Sequence, residues 1–204
     1  MKIGIVGAGQ LDIDLDPSMD YIGVDGGLES LLNQNIEPKI IVGDFDSLNN
    51  QDLIKTYKNI KLPTVKDDTD LAKAIEYAIA CRYNDIELYG VTGGRLDHFM
   101  AVICLLKKYS HHHITIYDAY NKIYLLNAGT HQILKQNYQY LSFFALKPVT
   151  ISIIGCQYPL DHYLLDIDDP LCVSNEIIND IGMIEVNEDI IVIQSNSKEN
   201  INGN

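Results

Sequence analysis

Lys39-Ile40-Ile41-Val42-Gly43-Asp44-Phe45-Asp46-Ser47 is the stretch that decides how this chain is read. Its first part is a short, nearly continuous apolar run. Such a run reads as a strand buried on both faces of a parallel sheet. Asp44 and Asp46 then stand one residue apart, just past the strand's carboxyl end. Open α/β sheets bind ligands in the crevice beyond that end. Two like charges repel by roughly 4 kcal/mol at about 4 Å and an effective dielectric of about 20. A bound metal ion removes that cost, and carboxylate oxygens suit Mg²⁺, above all when it also holds phosphates. A surface turn is the plainer reading, since Gly, Asp and Ser are ordinary turn residues.

The same arrangement recurs to either side. Tyr21-Ile22-Gly23-Val24 reads as a strand ending in Asp25-Gly26-Gly27, with Leu28, Leu31 and Leu32 forming a helical face behind it. Lys2 to Val6 is a further strand. Gly7-Ala8-Gly9 follows it, but Asp12 stands where a dinucleotide fingerprint needs its third glycine. A short helix is expected near residues 51–57. Lys66-Asp67-Asp68-Thr69-Asp70 then opens a helix carrying Leu71, Ala74, Ile75, Ala78 and Ile79 on one face. Helix capping accounts for one or two of those aspartates. Asp85 to Val91 is another strand. It leads through Thr92-Gly93-Gly94-Arg95 into Leu96-Asp97-His98 and a helix with Leu96, Phe99, Val102, Ile103 and Leu106 on one side. Glycines opening a helix after a strand can cradle phosphate with backbone N–H groups, and Arg95 can grip phosphate with two donors. His98 is read as orienting Asp97 or as structural.

From His113 the texture changes to short alternating runs: His113–Tyr117, Ile123–Leu126, Tyr138–Leu146, Val149–Ile154, Ile184–Val186 and Ile190–Gln194. Their spacing is that of an all-β sandwich. The expected fold is therefore a parallel-sheet, Rossmann-like α/β domain over residues 1–125, followed by an antiparallel β-sandwich over residues 126–204. His111-His112-His113 reads as a solvated helix-to-strand turn.

Bulk composition narrows the functions. The 204 residues are 47% hydrophobic and 21% charged, with a net charge of −13. That is a globular composition. Nonspecific nucleic-acid binding needs a basic face that this chain lacks, whereas a cationic small substrate is favoured. No run approaches the roughly 18 apolar residues of a membrane span, and the amino terminus is too short for a signal core. The four cysteines form no C-x-x-C pair, which fits a reduced, cytoplasmic protein. Cys81 and Cys104 lie in apolar helical patterns and are expected to be buried.

Taken together, Asp25-Gly26-Gly27, Gly43-Asp44-Phe45-Asp46-Ser47, Lys66-Asp67-Asp68-Thr69-Asp70 and Gly94-Arg95-Leu96-Asp97-His98 resemble the motifs of the thiamine pyrophosphokinase family in order and spacing. The likeness continues through Gly155-Cys156-Gln157-Tyr158-Pro159-Leu160 and Val173-Ser174-Asn175-Glu176, and spans roughly Tyr21 to Ile193. The resemblance implies transfer of pyrophosphate from ATP to the hydroxyl of thiamine, with Mg²⁺, in a homodimer whose active site lies at or near the subunit interface. It implies metal-binding roles for Asp44, Asp46 and Asp67. Catalytic roles fall to these three with Asp70 and Asp97. Nucleotide contacts fall to Asp25, Gly26, Gly27, Lys66, Gly93, Gly94, Arg95 and His98. Thiamine contacts fall to Asp70, Ser174 and Asn175. Cys172 stands where some members carry serine, and the chain has no tryptophan, which eukaryotic relatives place near thiamine. The alternatives are a related pyrophosphokinase acting on a hydroxymethyl pterin and a nucleotide or thiamine sensor without turnover. A haloacid-dehalogenase-type phosphatase would need Thr or Val where Leu48 stands.

Overall fold

The computed structural model describes residues 1–43, 55–61 and 68–197. The chain divides into two compact units, Met1–Ala119 and Tyr120–Asn204.

The first unit is a parallel sheet with helices. Its strands are β1 (Lys2–Val6), β2 (Asp20–Val24), β3 (Ile40–Gly43), β4 (Asn59–Lys61), β5 (Asp85–Tyr89) and β6 (His113–Tyr117). They pair in the order β4-β3-β2-β1-β5-β6, every pair parallel. Ile3, Ile5, Ile22, Ile40, Ile41 and Val42 are fully buried, as strands covered on both faces require. The helices are α1 (Gly27–Asn33), α2 (Asp70–Ala80) and α3 (Leu96–Lys108). The short helix expected near residues 51–57 falls largely outside the described residues.

Each helix buries one stripe. In α2 that stripe is Ala72, Ala74, Ile75 and Ala78. In α3 it is Val102, Leu105 and Leu106. Cys104 lies two residues from Val102, about 200° round the helix, and is exposed. Cys81 ends α2 as its C-cap and is exposed too. The expectation that both are buried thiols is therefore wrong. Leu96, at the open start of α3, is also exposed.

The amino edge of the sheet is pinned by side chains. Lys39 Nζ donates to Asp20 Oδ2 at 2.7 Å and to the Tyr83 hydroxyl at 2.8 Å, while that hydroxyl donates to Asp20 at 2.6 Å. This network ties the starts of β2 and β3 to the turn before β5.

The second unit is an antiparallel sandwich. One layer joins β7 (Asn121–Leu126), β13 (Ile190–Ser195) and β9 (Tyr140–Ala145), with β13 in the middle. The other joins β11 (Leu160–Leu165), β10 (Val149–Ile154), β12 (Ile181–Val186) and β8 (Gly129–Leu134), in that order. Phe143 and Val192 from the first layer and Ile151, Ile184 and Val186 from the second share one core. Among the described residues after Lys108, none is helical. The expected class, parallel α/β followed by antiparallel β, is what the protein adopts.

Candidate active site

Because β1 to β6 run parallel, their carboxyl ends share one edge. The order 4-3-2-1-5-6 reverses between β1 and β5, so the crevice favoured for ligands opens there. At that point the backbones crowd together. Gly7 N–H donates to the Tyr89 carbonyl and Gly9 N–H to the Gly90 carbonyl, both at 2.8 Å. A Cβ on Gly9 would lie 2.5 Å from the Gly90 oxygen, so only glycine fits. Gly7-Ala8-Gly9 thus belongs to this edge even though it is no dinucleotide fingerprint.

At the end of β2, Asp25 adopts φ +48°, a conformation uncommon for a residue with a side chain. Its N–H donates to the Val42 carbonyl at 3.1 Å, and its buried Oδ1 lies against Gly43. Gly26 is the N-cap of α1. Gly27 is pressed on the Val6 carbonyl so closely that no Cβ could be placed there. Asp44, Asp46, Lys66 and Asp67 lie outside the described residues; Gly43, at the end of β3, delivers the chain to the first of them.

Thr69 caps α2, its hydroxyl accepting from Ala72 N–H at 3.2 Å, and Asp70 is the helix's half-buried first residue. Asp68 receives Lys108 Nζ at 2.6 Å, and that ammonium holds the Asp68 carboxyl below its ordinary range.

At the end of β5 the chain turns through Gly90 (φ +61°) and Gly93 (φ +77°). The space where a side chain on Gly93 or Gly94 would sit is open to 4 Å. Arg95, the N-cap of α3, grips Asp97 with two bonds, Nη2 to Oδ2 at 2.6 Å and Nε to Oδ1 at 3.1 Å. The Arg95 guanidinium pulls the Asp97 carboxyl down to about 2. His98 contributes its main-chain N–H to Asp97 Oδ1 at 3.0 Å, and its side chain is exposed. Thr92 donates its hydroxyl to Asp118 Oδ2 at 2.7 Å. Asp118 follows strand β6 as Asp25 follows β2, so the strand-end rule extends to it although no motif marks it.

Ser174 and Asn175 belong to the second unit. Ser174 is exposed with φ +60°, and its N–H donates to Ser142 Oγ at 3.0 Å. Asn175 is buried. Its Oδ1 accepts from Tyr158 N–H at 3.0 Å and Glu176 N–H at 2.9 Å, and its Nδ2 donates to the Tyr158 carbonyl at 2.8 Å. Asn175 therefore latches the Tyr158 turn to the strand layer. Beside it opens a cavity of about 280 Å³ lined by Ile153, Tyr158, Leu160, Cys172, Val173 and Asn175. Its lining is mostly apolar, with the Asn175 amide and the Tyr158 hydroxyl as its polar side-chain groups.

The first unit thus presents glycines with Asp25 and Asp118 at the carboxyl ends of its strands, and Arg95 at the start of α3. The second presents an apolar recess beside a fixed amide. Comparison with known proteins matches each unit to a domain of one family. Residues 16–117 match the model for the thiamin pyrophosphokinase catalytic domain, and residues 130–191 match that for its vitamin B1 binding domain. The chain is 34% identical to a thiamine pyrophosphokinase of Bacillus subtilis over 182 residues, 85% of each chain. It is 26% identical to thiamin pyrophosphokinase 1 of Caenorhabditis elegans, over 76% of this chain and 70% of that one. The crystal structure of thiamine pyrophosphokinase from Bacillus subtilis superposes with a TM-score of 0.89 at 32% identity, covering 97% of this chain and all of that one. The structure from Geobacillus thermodenitrificans gives 0.88 at 31% identity, over 97% and 99%. By sequence, fold and domain order, the chain belongs to the thiamine pyrophosphokinase family of enzymes.

Proposed function

We propose that the protein transfers the pyrophosphoryl group of ATP to the hydroxyl oxygen of thiamine, giving thiamine diphosphate and AMP. The hydroxyl oxygen attacks the β-phosphorus in line, the bond from that phosphorus to the α-phosphate oxygen breaks, and the hydroxyl proton passes to an aspartate. The observation that carries this reading is the shared sheet edge. Asp25, Gly43 and Thr92 to Arg95 stand at the carboxyl ends of β2, β3 and β5 of one parallel sheet, to either side of its switch point.

Carboxylates are hard oxygen donors and suit Mg²⁺. Asp44, Asp46 and Asp67 would hold the ion, which supplies charge neutralisation on the phosphate oxygens when bound. Gly93 and Gly94 leave open space in which backbone N–H groups can meet phosphate. Arg95 exchanges Asp97 for phosphate oxygens at small cost, because an exposed pair contributes little. Lys66 adds a second cation. Asp97, once released, and Asp70 are candidate acceptors for the hydroxyl proton. Catalysis here is positioning and charge stabilisation more than covalent chemistry.

Thiamine carries a cationic thiazolium ring joined through a methylene carbon to a second flat ring. The net charge of −13 favours the cation, and the apolar recess beside Asn175 suits a ring. We assign the second unit to thiamine, the first to ATP, and the working form to a cytoplasmic homodimer. Mass spectrometry of products from ATP, Mg²⁺ and thiamine tests the reaction. Thiamine diphosphate with AMP is expected; thiamine monophosphate with ADP would mean transfer of a single phosphoryl group instead.

A further inference from the structure

We propose that Asp118 is a positioning residue for the turn Gly93-Gly94-Arg95, acting through Thr92. This rests on the reading of that turn as the phosphate-binding element. Strands β5 and β6 pair in parallel as far as Leu88 opposite Ile116. Two residues further, β5 reaches Gly90 and β6 reaches Asp118, so the carboxylate stands beside the point where β5 leaves the sheet. There the chain turns twice through left-handed glycines, Gly90 and Gly93. Nothing packs where side chains on Gly93 and Gly94 would be. Such a segment has the most conformational freedom to lose when a ligand orders it, and that loss weakens binding unless the segment is held beforehand.

Thr92 lies between the two left-handed glycines, and its hydroxyl donates to Asp118 Oδ2 at 2.7 Å. This bond ties the turn to the neighbouring strand one residue before Gly93. It therefore holds the backbone N–H groups of Gly93 and Gly94, and the start of α3 at Arg95, in one arrangement. Asp118 touches no phosphate in this account; its oxygen holds Thr92, and Thr92 holds the turn.

The test compares Thr92→Val and Asp118→Ala, which remove the bond, with Thr92→Ser and Asp118→Asn, which keep a donor and an acceptor. Backbone order parameters of Gly93 and Gly94 are measured by NMR in the ligand-free protein, and KM is measured separately for ATP and thiamine. The removal variants are expected to lower the order parameters from about 0.85 to below about 0.6. They should raise KM for ATP roughly tenfold, with KM for thiamine within about twofold. The double variant Thr92→Val with Asp118→Ala should be no worse than Asp118→Ala alone, since the bond between them is already lost there. The conservative variants should track the wild type. Unchanged order parameters in both removal variants would overturn the proposal. So would losses that multiply in the double variant, or Asp118→Asn as damaging as Asp118→Ala, which would give the carboxylate a direct contact. Absence of pyrophosphoryl transfer in the wild type would refute the functional reading, while the order parameters would still decide the anchor.

Discussion

The Asp25 carboxylate fills the space that a side chain on Gly43 would need. The two residues sit at the ends of adjacent strands, and the Asp25 N–H is bonded to Val42, the residue before Gly43. A methyl group at position 43 would push this carboxylate away and shift the exit of β3 toward Asp44. Gly43→Ala should destabilise the fold by about 1–3 kcal/mol, the usual cost of forcing an extra carbon into a packed site. Asp25→Gly in the same chain removes the collision, so the double variant should recover part of that loss. Equilibrium urea unfolding of the three variants measures it, and strictly additive losses would contradict the contact.

Asp44→Asn tests the metal assignment. It keeps the side chain's shape and removes one charge from the proposed clamp on the phosphates. Turnover should fall on the order of 10³-fold or more, with an unchanged circular dichroism spectrum. Near-normal activity at saturating Mg²⁺ would remove Asp44 from the metal site.

The thiols should divide by place. Cys81 and Cys104 are exposed, while Cys156 and Cys172 are buried. Burial pushes the Cys172 thiol up to about 11 and raises that of Cys156 as well. A chromogenic disulfide reagent at pH 8 should label two thiols at once and the other two only on unfolding. The pH sign follows from the same shift. The unfolded Cys172 loses its proton near 9.0, whereas the folded one keeps it to about 11. Its stabilising contribution is complete below pH 9 and is lost as pH rises through 11. Thermal melts should therefore fall across that alkaline window.

If the active site is shared between two subunits, two inactive variants should rescue each other. The lesion on the thiamine side is better placed at Ser174 than at Asn175. Removing the Asn175 amide leaves the part-buried Tyr158 and Glu176 N–H groups without their acceptor, at a cost of up to about 1 kcal/mol each. Ser174 is exposed, and Ser174→Asn is compatible with its left-handed backbone. Subunits of Asp44→Asn and Ser174→Asn are mixed by co-expression. About half the dimers are then mixed, each with one intact site, and roughly a quarter of wild-type activity should return. Confirmed exchange with no gain would place each site within one chain.

The sequence by itself determined the order of elements wherever hydrophobic period and strand-end chemistry agree. Ile40 to Val42, Asp70 to Ala80 and Val149 to Ile154 are legible because burial on two faces, one stripe or alternate residues each leaves its own pattern. Strand β11 was illegible for a physical reason. Ile151 pairs with Tyr163 but Ile153 with Leu160, so Asp161 and His162 together oppose Ser152, and the bulge breaks the alternation. Strand β8, Gly129–Leu134, hides behind a glycine and outward polar residues, and β4 spans only Asn59–Lys61. The motifs named Asp25, Gly93, Gly94, Arg95 and Asp97 as one set without their contacts. Only the tertiary structure decided that Arg95 rests on Asp97, that Thr92 reaches Asp118, that Asn175 is a latch, and which cysteines face water. Period and motif are local along the chain, whereas the Thr92 and Asn175 contacts depend on which segments lie side by side once the sheets have formed, and the Arg95 contact on the turn that opens α3.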